Sequence, residues 1–102
     1  MITASKNATR PVHPGEVLRE DYLKPLGLSA NALARALRVP ASRINDIVLE
    51  RRAVSVDTAM RLLRYFGGDV QSWLNLQVAY DMKVAQKTIA RRIEKEILPM
   101  AA

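Results

Sequence analysis

At 102 residues, 49% of them hydrophobic, the chain can close one compact core and is too short for a second. Sixteen Lys and Arg against ten Asp and Glu leave a net charge of +6 and a pI of about 10.2, which favours polyanionic partners: DNA, RNA or an acidic membrane surface. The absence of Cys excludes a disulfide, a thiolate nucleophile and Cys-ligated zinc.

Residues 1–12 are polar, with Lys6, Arg10 and Pro11, and read as a flexible arm. A first helix is expected to start at Pro14, where a missing N–H costs nothing. Val17, Leu18, Tyr22 and Leu23 form its apolar face, and Pro25 and Gly27 should end it. Ser29 is a good N-cap for a second helix, with Leu33, Ala34 and Leu37 on one inward stripe. Val39-Pro40 breaks it. A third helix is predicted from about Ala41 to Leu49, with Ile44, Ile47 and Val48 inward and Ser42, Arg43, Asn45, Asp46 and Leu49 outward. Ser55 caps a fourth, whose buried face is Ala59, Leu62, Leu63 and Phe66 before Gly67-Gly68 stops it. Asp69 caps a fifth, carrying Val70, Trp73, Leu74, Gln77 and Tyr80 and continuing through Ala85, Ile89, Ile93 and Ile97. Nothing alternates with period two, so an all-α fold without a sheet is expected.

Function is carried by the stretch from Ser29 to Leu49. Two short helices meet across Arg38-Val39-Pro40, with small Ala34 at their crossing and Val39, Ile44 and Ile47 to lock the second. Such a helix-turn-helix presents the second helix's polar face to the major groove of DNA. Arg43 fits guanine through two hydrogen bonds, Asn45 fits adenine, and Ala41 or Leu49 fits a thymine methyl. Ser42 suits a base or a phosphate; Asp46 suits either cytosine N4 or the task of orienting Arg43. Ser29, Asn31, Arg35, Arg38, Arg51, Arg52 and Thr58 are candidate contacts to the DNA backbone. Between Ser29 and Arg64 seven Arg face three acids, so most of the net charge falls on this stretch.

Other chemistry finds no support. The lone His13 before Pro14 suits a capping or packing role and cannot build a zinc site by itself. Asp57, Asp69 and Asp81 lack metal-loop spacing, and there is no Gly-rich phosphate loop and no nucleophile beside a base. An enzyme, a metal and a cofactor are therefore not expected. No apolar run approaches the roughly 18 residues of a membrane span, and Met1 to Arg10 lacks the apolar core of a signal peptide. A soluble cytoplasmic protein without membrane association is the expectation.

Five stretches in order give a more specific signal: His13-Pro14-Gly15-Glu16-Val17-Leu18-Arg19-Glu20, Leu28-Ser29-Ala30-Asn31-Ala32-Leu33-Ala34, Val39-Pro40-Ala41-Ser42-Arg43-Ile44-Asn45, Asp57-Thr58-Ala59-Met60-Arg61-Leu62, and Trp73-Leu74-Asn75-Leu76-Gln77 with Ala79-Tyr80-Asp81. Over residues 13–82 the chain resembles the HigA antitoxins, within the phage-repressor-like (Xre) helix-turn-helix group. The resemblance implies a five-helix, lambda-repressor-like DNA-binding domain over 13–82, followed by a C-terminal helical extension over 83–102. It further implies a homodimer that binds a palindromic operator, represses its own operon and neutralises a HigB-like toxin of the mRNA interferase kind. A stand-alone transcriptional regulator without a toxin is the alternative. Dimerisation through the C-terminal helical region is implied, with Trp73, Leu74, Gln77, Tyr80 and Ile89 as candidate interface residues. The apolar tail positions could instead extend the chain's own core or dock into a toxin. The sequence departs from the family's pattern at Arg38 and Glu50, where Gly is usual and a left-handed backbone would strain a side chain.

Overall fold

The computed structural model describes residues 10–101. Of the expected arm, residues 1–9 lie outside the described residues. Arg10 at its end forms a two-pronged ion pair with Glu16, at 2.9 and 3.0 Å.

Helix α1 runs over 14–26. His13 caps it, Nδ1 accepting the Gly15 N–H at 2.8 Å. The turns from Leu18 to Leu23 are π-helical, and this widening lies just before Pro25. A proline ring inside a tight α-helix clashes with the carbonyl four residues back, here Asp21, and a wider turn relieves the clash. Pro25 therefore does not end the helix as expected; Gly27, left-handed at φ 61°, does.

The next helices follow the expected stripes. Helix α2 is Ala30–Leu37, capped by the Ser29 hydroxyl, which accepts from the Ala32 N–H at 3.0 Å. Helix α3 is Ala41–Val48, entered directly through Pro40. Helix α4 is Val56–Phe66 behind Ser55. Helix α5 is Val70–Thr88, with Asp69 accepting from the Ser72 N–H at 2.7 Å.

The tail differs from the expectation of one continuous helix. Helix α5 ends at Thr88, and a separate helix α6, Ala90–Glu96, follows Ile89. The Thr88 hydroxyl donates back to the Val84 carbonyl at 2.8 Å, a bond that competes with the regular ladder and bends helices. Six helices and no strand result among the described residues.

One core joins α1 to α5. Leu18, Leu33, Ile44, Ile47 and Leu62 are fully buried at its centre, with Ala34 at the α2–α3 crossing and Val39 packed against its edge. Tyr22 bridges Phe66 and Trp73, ring centroids 4.9 and 5.5 Å away, and so ties α1 to α4 and α5. No described helix is long and apolar enough to cross a membrane.

Candidate nucleic-acid interface

The outward face of α3 is the site that the sequence singles out. Ile44 and Ile47 are fully buried and fix the helix from behind, while Ala41, Ser42 and Leu49 are exposed. Arg43, Asn45 and Asp46 are half-buried, each held by a neighbour. Asn45 donates to the Asn31 side chain at 2.7 Å and to the Ala41 carbonyl at 2.9 Å. The start of α2 and the start of α3 are thus joined through two candidate DNA contacts.

Arg43 is not oriented by Asp46. Its Nη1 donates to Asp57 at 2.7 Å, whereas Asp46 pairs with Arg51 at 3.7 Å and Arg52 at 3.5 Å. Of the two roles open to Asp46 from the sequence, orienting Arg43 is therefore ruled out by the geometry. Asp57 also accepts from Arg61 Nε at 2.8 Å. Hydrogen bonds from Arg61 and Arg43 hold its carboxyl below the ordinary range. The Arg61–Asp57 pair is legible as an i, i+4 spacing, but its link to Arg43, fourteen residues away, is not.

Arg35 and Arg38 are exposed and unpaired among the described residues, which leaves both free for phosphate. Ser29 is engaged as a cap. Thr58 is a correction: it is buried, its hydroxyl accepts from Ser55, and its N–H donates to the Ser55 hydroxyl at 3.3 Å. It completes a helix start and does not face a duplex.

Arg19 was not anticipated. It donates to the Val48 carbonyl at the end of α3 and pairs with Glu50 at 3.4 Å and Glu20 at 2.8 Å. The base of the candidate reading helix is thereby tied to α1. A cleft of about 770 Å³ between α1 and α5 has no residue of α2 or α3 in its wall.

A helix-turn-helix family model matches residues 20–73. The Virulence-associated protein I of Dichelobacter nodosus is 64% identical over 86 residues, covering 84% of this chain and 80% of that one. Antitoxin HigA-1 of Vibrio cholerae is 31% identical over 77 residues, 76% of this chain and 72% of its own. The antitoxin HigA of Pseudomonas aeruginosa, solved with the higBA promoter, superimposes with a TM-score of 0.84 at 48% identity, covering 90% of this chain and 100% of that one. The chain belongs to the HigA family of helix-turn-helix proteins.

Within this HigA-family chain, both departures from Gly take the backbone that Gly would. Arg38 has φ 60° and Glu50 φ 64°. The turns around α3 therefore keep their shape, at a strain of about 1 kcal/mol each. At Arg38 the N–H caps α2 through the Ala34 and Arg35 carbonyls. At Glu50 the N–H bonds the Ile47 carbonyl at 2.9 Å.

Two of the expected interface residues are committed inside this HigA-family fold. Trp73 is buried in the core. Gln77 is buried too: its Oε1 accepts the Val54 N–H at 2.8 Å and its Nε2 donates to Asp81 at 3.0 Å. Both lie on the inner side of α5, because one helical stripe serves the chain's own core first. Leu74 is half-buried against that core, and Tyr80 is half-buried, with its ring edge-on to His13. Ile89 is exposed, as are Val78 and Met82 of α5 and Ile93 of α6.

Proposed function

We propose that this chain is the antitoxin of a type II toxin–antitoxin pair: a cytoplasmic homodimer that binds a palindromic operator, represses its own operon and neutralises a HigB-like mRNA interferase by direct binding. One observation carries the DNA half. Ser42, Arg43 and Asn45 reach the surface of α3 while Ile44 and Ile47 are fully buried behind them. The likeness to an antitoxin solved with its promoter supports the same half. The name of the Vibrio relative supports the toxin half.

In this mechanism α3 enters the major groove. Arg43 meets guanine O6 and N7, Asn45 meets adenine, and exposed Leu49 or Ala41 meets a thymine methyl. Arg35, Arg38, Arg51 and Arg52 neutralise phosphates, as do the N–H groups at the start of α2. A second copy packs against the exposed apolar residues Val78, Met82, Ile89 and Ile93, with Leu74 beside them, and places a second α3 on the next half-site, roughly one helical turn away. Repression is steric, and toxin neutralisation is stoichiometric, with no turnover.

A footprint on the chain's own promoter tests the DNA half. Two protected half-sites are expected, with an affinity that falls steeply with salt. Arg43→Ala should lose the part of the operator preference that guanine carries and keep non-specific binding; equal affinity of the unaltered protein for operator and random duplex would overturn base reading. The gene neighbourhood tests the other half: a short basic HigB-like reading frame is expected next door, and co-expression with it should form a complex and relieve growth arrest. Failure both to form a complex and to relieve growth arrest would leave a stand-alone regulator.

A further inference from the structure

Arg43, on which the reading of guanine depends, is braced from outside its own helix. Its Nη1 donates to Asp57 Oδ1 at 2.7 Å, and Arg61 Nε donates to the same oxygen at 2.8 Å. Arg61 is itself fixed by an Nη1 bond of 2.8 Å to the carbonyl of Leu37, the last residue of α2. Asp57 stands in the first turn of α4, just behind the Ser55 cap. One carboxylate therefore connects α2, α3 and α4 at the root of the reading side chain.

We propose that Asp57 is the positioning residue that gives Arg43 its preference for guanine. The inference rests on the base reading put forward above. A guanidinium has five N–H donors, and guanine takes two. Asp57 uses one at the protein side and leaves enough for the base. The side chains of Arg43 and Asp57 are 29% and 55% exposed, so the pair lies at the surface rather than sealed in the core. An arginine held in this way loses less conformational freedom on meeting its base than one swinging free. Charge adds a second effect. A carboxylate beside the duplex repels phosphate and so weakens binding to every sequence, while the orientation that it imposes rewards only the right one. The repulsion lowers both affinities alike, and the orientation alone widens the gap between specific and non-specific binding.

Asp46 cannot share this role, although it lies on Arg43's own helix, because Arg51 and Arg52 engage it.

The test uses the full chain and a duplex that the unaltered protein enriches from a randomised pool, with a scrambled duplex of the same composition as reference. Asp57→Ala is expected to bind the enriched duplex more weakly and the scrambled one more tightly, lowering the affinity ratio about tenfold. Asp57→Asn keeps an acceptor oxygen and should recover part of that ratio. In an Arg43→Ala background, Asp57→Ala should leave the ratio unchanged, an outcome that a purely structural Asp57 would not produce. Thermal melts of each variant confirm folding. An unaltered ratio in Asp57→Ala, or an equal loss with and without Arg43, overturns the role of Asp57 and leaves base reading standing. A pool that yields no enriched duplex overturns base reading, and the role of Asp57 with it.

Discussion

The ring of His13 stands edge-on to that of Tyr80, centroids 4.8 Å apart and planes at 74°. The residue before α1 is thereby joined to the middle of α5, while Nδ1 of the same ring accepts the Gly15 N–H at 2.8 Å. A capping and packing role, expected from the sequence, is what the geometry gives this residue.

Protonation should break that arrangement. Nδ1 can accept only while it carries no proton, and burial lowers the His13 pKa from its ordinary value. The unfolded chain then takes up a proton at a pH where the folded chain does not. Stability from this group is full above about pH 6.5 and is lost as pH falls from there through the folded-state value. The Tm should therefore drop between about pH 7.5 and about pH 5.5, above the range in which carboxylates titrate. His13→Asn keeps a capping oxygen and should show a flatter slope, together with a loss of about 1 kcal/mol from the missing ring contact. Parallel slopes in the two proteins would remove His13 as the source.

Gly15 has no room for a side chain. A Cβ there would lie 1.8 Å from the carbonyl oxygen of Ile47 and 2.8 Å from its carbon. The obstacle is backbone, so no rotamer change relieves it. Gly15→Ala should cost about 3 kcal/mol, read as a lower denaturant midpoint at unchanged m. Because Ile47 anchors the candidate reading helix, DNA affinity should fall even at temperatures where the variant stays folded. A midpoint within error of the unaltered protein would show that α1 and α3 are not locked at this contact.

Arg38 separates stability from binding. Its left-handed backbone, φ 60°, favours Gly by about 1 kcal/mol, offset in part by the greater freedom of Gly in the unfolded chain. Arg38→Gly should raise stability by about 0.5 kcal/mol. Loss of a phosphate contact should at the same time weaken binding to all duplexes and make the salt slope shallower by about 1. Weaker binding with an unchanged salt slope would take Arg38 off the phosphate backbone.

Much of the helical framework was legible because it depends on local chemistry. Ser29, Ser55 and Asp69 are good caps wherever they occur, and each caps the expected helix through the N–H three positions on. The stripe Ile44, Ile47 and Val48 follows from the 3.6-residue period and is buried as expected. Pro25 was misread because the π-helical turns that accommodate it leave no signature in the local pattern. Thr58 was misread because a hydroxyl that could meet a phosphate from outside can equally turn inward to its own cap.

By itself the sequence determined the helix pair, its charged surroundings and the face of α3 that looks outward, since periodicity, capping and charge act over a few residues. Only the tertiary structure decided which carboxylate holds Arg43, that Arg19 ties the end of α3 to α1, and that Trp73 and Gln77 serve the chain's own core. Each of these links side chains from different helices. Hydrogen bonds and ion pairs act over a few ångströms, so their partners are fixed by how the helices pack and not by their spacing along the chain.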